Sequence, residues 1–291
     1  MAKIINGTLL AEQIYRFIES KIAKILTQTT KRPKLATVLI GDNPASRIYV
    51  NAKIKAARRV MINTELVMLD KEITNDRLHE VINVLNRRAD ITGFLIQLPI
   101  PRHLDESIVF KFINYEKDVD GFGIYNTGLL NHWQSKIVPC TPQGILYILK
   151  KYVDDLSGKK AIVIGRSIIV GRPMATILTK ENCTTVIAHS KTQNIESECR
   201  SADIIISAVG SPRLIGANWI KKNAFVVDVG INRVNSKIVG DVNFEEVKNI
   251  ASYITPVPGG VGPLTVAHLM LNTLKLFGIQ NNIYISDTID Q

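Results

Sequence analysis

The chain has 291 residues, enough for about two domains of ordinary size. Hydrophobic residues at 46% and charged residues at 21% fit a globular chain and exclude long disorder or a fibrous repeat. The formal charge of +10 admits anionic ligands or nucleic acid, but an aromatic content of 6% is thin for base stacking.

The cysteines, Cys140, Cys183 and Cys199, are odd in number and widely spaced. With no C-x-x-C pair, neither a disulfide scaffold nor a thiolate zinc site is expected, no metal is expected, and a reducing, cytoplasmic setting fits. The opening residues Met1 to Gly7 lack the apolar block of a secretory signal. The longest uncharged stretch, Asn249 to Leu274, is interrupted by Pro256, Pro258, Gly259, Gly260, Gly262 and Pro263. Such a stretch cannot form one membrane helix, so the expectation is a soluble protein.

In chain order, Leu10, Ile14, Phe17, Ile18, Ile22 and Ile25 recur at helical spacing and predict a helix from Thr8 to about Thr27. Leu35 to Gly41 reads as a buried strand ending in a turn, and Pro44 opens a second helix running to about Val60. A strand from Glu65 to Leu69, a helix from about Asn75 to Arg87 and an apolar strand from Gly93 to Leu98 follow. Glycines at 121, 123 and 128 break the pattern, and the domain junction is expected there. After Pro142 a helix leads to strands at Ala161–Ile164, Thr185–Ala188, Ile204–Ser207 and Phe225–Val229, then a last helix from Leu264 to Phe277. Strands alternating with helices predict an α/β fold with a parallel sheet.

The sharpest local feature is the strand Ala161–Ile164 running into Gly165-Arg166-Ser167 and on to Gly171-Arg172-Pro173. Glycines let a backbone approach a pyrophosphate, whose charge then meets helix N–H groups. The spacing departs from G-x-G-x-x-G, so an ordinary tight turn is the competing reading. An NAD site carries an acidic residue at the end of the next strand, to hold the ribose 2′-hydroxyl. Here that end reads Ala188-His189-Ser190-Lys191, without a carboxylate. Arg166 and Ser190 suit a 2′-phosphate, which favours NADP over NAD. His189 reads as structural.

Tyr49 and Lys53, four apart, share one helix face; a phenol and an amine there are chemically capable, though such pairs are commonplace on solvated helices. Gln97 interrupts an apolar run near a strand's carboxyl end, so its amide either joins a polar network or faces a site. Asp118 and Asp120, taken alone, read as turn chemistry. Six Pro and Gly residues within Pro256–Pro263 form a loop before a helix, able to lie flat against a planar ligand.

Together these segments resemble the bifunctional methylenetetrahydrofolate dehydrogenase/methenyltetrahydrofolate cyclohydrolase family over nearly the whole chain. The resemblance is carried by Gly41 to Ser46 with Tyr49, Val50 and Lys53, by Gln97-Leu98-Pro99, and by Lys117 to Phe122. It continues through Pro139 to Pro142, Gly165-Arg166-Ser167 with Ile169 to Pro173, Val227 to Asn232, and Pro256 to Pro263. Leu264 and Leu129 depart from the family pattern, which usually has Met and Arg there.

The resemblance implies two α/β domains around a cleft, the second a Rossmann-like NADP-binding domain with a parallel sheet. It places residues 1–119 with 272–291 in a folate-binding catalytic domain and residues 120–271 in the NADP-binding domain. It makes Lys53, Gln97 and Tyr49 catalytic, with Tyr49, Asp120, Gly259, Gly260 and Pro263 on the substrate. Gly165, Arg166, Ser167, Ser190 and Ile231 would hold NADP. The implied activity is oxidation of 5,10-methylenetetrahydrofolate followed by hydrolysis to 10-formyltetrahydrofolate, in a homodimer without nucleic acid or membrane. The residues themselves leave two other readings open: an NADP-dependent dehydrogenase of another small substrate, and a basic nucleic-acid-binding protein. Against the latter, no helix-turn-helix, zinc-finger or RNP-type pattern stands out.

Overall fold

The computed structural model describes residues 1–235, 237–286 and 289. In chain order its elements are β1 (Lys3–Ile4), α1 (Gly7–Leu26), β2 (Lys34–Ile40), α2 (Pro44–Arg59), β3 (Asn63–Leu69), α3 (Asn75–Arg87) and β4 (Gly93–Ile96). Then come α4 (Ser107–Phe112), α5 (Ile124–Asn131), α6 (Cys140–Tyr152), β5 (Lys160–Ile164), α7 (Gly171–Lys180), β6 (Thr184–Ala188), α8 (Ile195–Ser201) and β7 (Ile204–Ser207). The chain closes with β8 (Phe225–Asp228), β9 (Asn232–Val234), β10 (Lys237–Val239), α9 (Phe244–Val247), β11 (Tyr253–Ile254) and α10 (Val261–Gln280). Among the described residues, no helix is long and apolar enough to cross a membrane.

The chain divides into two compact units, one of Glu12–Cys140 with Val266–Gln291, the other of Met1–Ala11 with Thr141–Thr265. The first holds a parallel sheet in the order β3-β2-β4. Its central strand β2 is covered on both faces, so six of its seven residues are buried and it reads as a continuous apolar run. Ala36, Val38, Leu78, Ile82, Phe94 and Ile96 form part of its core. Helix α2 starts where Asn43 caps it, its side chain accepting from the backbone N–H of Ala45 at 2.9 Å, with Pro44 as the first helical residue.

The second unit holds a six-stranded sheet in the order β1-β11-β8-β7-β5-β6, parallel throughout. Strands β6 and β7 flank β5 on opposite sides, so the order reverses there. Open α/β sheets take their ligands beyond the carboxyl ends at such a switch point.

The unit limits fall elsewhere than the expected 119/120 and 271/272. Lys3–Ile4 pairs in parallel with Tyr253–Ile254, which puts the first residues in the six-stranded sheet. Two residues are too few to show a strand pattern, and β11 is equally short. Residues 120–140 belong with the three-stranded unit, as do residues 266–271. Part of the expected 272–291 segment, residues 287, 288, 290 and 291, lies outside the described residues. The last helix runs past both expected ends, since Pro263 stands in its first turn, where proline is tolerated.

Asn272 of α10 ties separate segments of the three-stranded unit together. Its buried amide donates to the carbonyls of Val119 and Val138, both at 2.9 Å. Asn272→Ala takes the amide donor from both carbonyls, leaving that of Val119 with only the weaker Cys140 thiol at 3.7 Å, and is expected to destabilise the protein by about 2–4 kcal/mol. Urea denaturation checks this; a change within error of zero would contradict the tie.

Candidate active site

Helix α2 and the segment after β4 place the first cluster. Lys53 Nζ donates to Gln97 Oε1 at 3.0 Å, and Gln97 Nε2 donates to the carbonyl of Leu98 at 2.7 Å. Gln97 lies one residue past β4, yet its N–H still bonds the carbonyl of Val38 at 2.8 Å, so the strand direction fixes it. Its amide is buried with both oxygen and nitrogen hydrogen-bonded, which answers the question its apolar setting raised. Tyr49 stands one turn earlier on α2 and is 41% exposed.

Asp118 and Asp120 differ in job although they are two residues apart. Asp118 is buried and collects the N–H groups of Gly121 at 2.9 Å and Gly123 at 2.8 Å, with the Asn126 amide at 2.9 Å. The turn reading holds for Asp118. Asp120 is half-buried in a recess with Leu95, Leu98, Val109 and Phe122, and its titration differs from a surface carboxylate's. Burial lifts its pKa from 3.8 to about 6; the Lys53 ammonium pulls it down and the Asp118 charge pushes it up. Lys53, Gln97 and Asp120 therefore form one electrostatic group in the three-stranded unit.

The second cluster lines the carboxyl ends of the six-stranded sheet. Gly165 follows β5 with φ +124°, and a Cβ there would lie 2.3 Å from the carbonyl oxygen of Ala208 after β7. Gly171 opens α7, where a Cβ would lie 2.1 Å from the carbonyl oxygen of Gly165. Only glycine fits either position, so the turn is built for close backbone approach. The Ser167 hydroxyl accepts from Val170 N–H at 3.1 Å, which shapes the start of α7. Arg166 and Ser190 are both exposed, and among the described residues no carboxylate pairs with Arg166. His189 caps its own turn: its Nδ1 accepts from Lys191 N–H at 3.2 Å. Ile231, after β8, is 51% exposed.

Gly259, Gly260 and Pro263 belong to the six-stranded unit. The Gly259 carbonyl accepts from Gly7 N–H at 2.9 Å, and Gly7 has no room for a Cβ beside Gly260. The structure thus brings Lys53, Gln97 and Asp120 together in one unit, and Gly165, Arg166, Ser167, Ser190 and Ile231 to one sheet end in the other.

Sequence reasoning missed Asp241. It is fully buried, and it accepts from the Ser207 hydroxyl, three successive backbone N–H groups and the Asn232 amide. The Gly240-Asp241 pair after a short apolar run was its only signal.

A parallel sheet with a glycine turn at its switch point, in a chain that also carries an ammonium–amide–carboxylate cluster, defines an α/β enzyme with a nucleotide-binding unit. Comparison with known proteins narrows this. The model of the tetrahydrofolate dehydrogenase/cyclohydrolase catalytic domain matches residues 5–120, and that of the family's NAD(P)-binding domain matches residues 139–281. The bifunctional protein FolD of Wolbachia pipientis wMel is 45% identical over 291 residues, 99% of this chain and 100% of that protein. The crystal structure of the Campylobacter jejuni FolD dehydrogenase/cyclohydrolase superposes with a TM-score of 0.92 at 43% identity, over 97% of this chain and 99% of that one. The Trypanosoma brucei enzyme, crystallised with NADP cofactor and an inhibitor, gives 0.91 at 36% identity, over 96% and 98%. The chain belongs to the tetrahydrofolate dehydrogenase/cyclohydrolase family, and it is a bifunctional enzyme of that family.

The electrostatics of the first cluster can be measured directly. In a carboxyl-carbon NMR titration of the unliganded protein, Asp120 should titrate near 6, against an ordinary value of 3.8. Lys53→Met removes the charge that favours the ionised form, so the midpoint should move upward. A midpoint near 4, unmoved by Lys53→Met, would contradict the arrangement.

Proposed function

We propose that the protein oxidises 5,10-methylenetetrahydrofolate to 5,10-methenyltetrahydrofolate with NADP and hydrolyses that product to 10-formyltetrahydrofolate. The observation that carries the reading is the 3.0 Å bond from Lys53 Nζ to Gln97 Oε1 beside the half-buried Asp120.

The turn at Gly165 and Gly171 fits a dinucleotide, because neither glycine has room for a side chain and Gly171 opens a helix. Gly165 and Ser167 would lie along the pyrophosphate, Arg166 and Ser190 would hold the 2′-phosphate, and Ile231 would contact the cofactor through its exposed side chain. When bound, NADP supplies the hydride acceptor, which leaves the protein the tasks of binding and orientation.

In the three-stranded unit, Asp120 would anchor the pterin through its ring N–H groups, and Tyr49 would lie along the folate. In the six-stranded unit, Gly259, Gly260 and Pro263 would offer a flat surface to a planar ligand. For hydrolysis, water adds to the methenyl carbon, a C–N bond of the ring opens, and one proton is released. Lys53 would relay protons between that water and the ring nitrogen, with Gln97 holding the ammonium in place. Two copies per assembly and a cytoplasmic setting complete the proposal. Leu66 and Met68, exposed on the edge strand β3, support the first, and three free buried cysteines support the second.

A spectrophotometric assay of the purified protein with methylenetetrahydrofolate, run with NADP and with NAD, tests the reading. Absence of reduced cofactor and of methenyl product with both would sink it. Lys53→Met should reduce hydrolysis of supplied methenyltetrahydrofolate by at least about a hundredfold. Hydrolysis at the wild-type rate would remove Lys53 from its role. Ser190→Asp should turn cofactor preference from NADP toward NAD, since a carboxylate repels the 2′-phosphate and accepts from the 2′-hydroxyl. An unchanged ratio of kcat/KM values for the two cofactors would refute the 2′-phosphate assignment.

A further inference from the structure

We infer that Asp241 is a positioning residue for the dehydrogenase reaction, holding in register the two loops that form the dinucleotide side of the six-stranded sheet. This rests on the proposed reading that this sheet end takes the cofactor.

The two loops follow β7 and β8, the strands next to the switch point on one side of β5. Asp241 Oδ2 accepts from Val209 N–H at 2.8 Å, Gly210 N–H at 3.2 Å and the Ser207 hydroxyl at 3.2 Å. Its Oδ1 accepts from Ser211 N–H at 2.9 Å and from the Asn232 amide at 2.9 Å. Residues 207–211 and the start of β9 are thereby bound to one fully buried carboxylate. Asp241 is itself held, because its N–H donates to Asp228 Oδ1 at 2.9 Å. Asp228 also accepts from Gly230 N–H at 3.0 Å and Val242 N–H at 2.9 Å.

The close approach is deliberate in the sequence. A Cβ at Gly230 would lie 2.2 Å from Asp241 Oδ1, and one at Gly240 would lie 1.8 Å from Asp228 Oδ2. Three successive N–H groups, at 209, 210 and 211, are committed inward to Asp241, so none of them is left to bind a cofactor phosphate. Asp241 therefore acts by shaping the loops and does not touch the ligand. Ala208, in the first loop, abuts Gly165 of the phosphate turn, and Ile231, in the second, is exposed. A loop displaced by one ångström moves both surfaces.

The two activities of this enzyme separate positioning from folding. In Asp241→Asn, one acceptor oxygen becomes a donor facing donors, with little change of shape. The apparent KM for NADP should rise about ten- to a hundredfold, with hydrolysis of supplied methenyltetrahydrofolate within about twofold of wild type. Asn232→Ala and Ser207→Ala each remove one partner and should raise the NADP KM about two- to tenfold, again sparing hydrolysis. An unchanged NADP KM in folded Asp241→Asn overturns the inference, as does equal loss of both activities in all three variants. If Asp241→Asn does not fold, the two single-partner variants decide, and an unchanged KM in both overturns it. A wild-type protein that oxidises methylenetetrahydrofolate with neither cofactor would instead refute the proposed function.

Discussion

Loops that follow parallel strands end in backbone N–H groups with no sheet partner, and buried donors cannot go unpaired. In both units of this protein, buried aspartates meet that constraint. Asp118 collects two glycine N–H groups in the three-stranded unit, while Asp228 and Asp241 collect six backbone donors between them in the other. A carboxylate is well suited, because its two oxygens offer about four acceptor positions and bonds to a charged acceptor are the stronger kind. Enclosure works against the charge: burial pushes Asp118 above its ordinary value, and Asp228 is pushed up to about 6. The loops that carry the candidate site owe their shape to this compromise.

The same compromise explains where glycine is indispensable. Gly230 and Gly240 stand where the aspartates need the backbone within contact distance, and Gly165 and Gly171 where two turns touch. These positions are fixed by neighbours inside the protein, so a substituted side chain would collide with the protein before it met any ligand. Specific chemistry is left to exposed side chains that carry no hydrogen bond or ion pair among the described residues, such as Arg166 and Ser190, or to a small polar group such as Lys53 and Gln97.

Much of this was legible in the chain. Long elements with strong periodicity, α1, β2, α3 and the strands β5 to β8, lie close to where apolar spacing predicts them. Gln97 announced itself because an amide within an apolar run must have a partner. The absence of a carboxylate after β6 was visible as a gap in a familiar pattern. Elements such as β1 and β11, of two residues each, carry no periodic signal, and their pairing across the sequence decides the unit limits. Asp241 escaped for a related reason: its role is defined by partners up to 34 residues away, and a lone acid in a loop looks like any other. Asp118 and Asp120 were indistinguishable by spacing, since only the folded turn shows that the Gly121 and Gly123 N–H groups go to Asp118 while Asp120 meets the Lys53 charge.

Helix α10 has a consequence for the order of assembly. Its Asn272 bonds the carbonyl of Val119, 153 residues earlier, and Gln280 bonds the carbonyls of Thr92 and Glu116, 188 and 164 residues earlier. The helix is buried along most of its length, so the three-stranded unit lacks part of its interior until the last fifteen or so residues of α10 exist. During synthesis the earlier segments of that unit must wait, with apolar surface uncovered, while some 120 intervening residues are made. Those residues contain five of the six strands of the other sheet, which can pair among themselves in the interval. The unit whose strands are made first, the three-stranded one, is the one completed last.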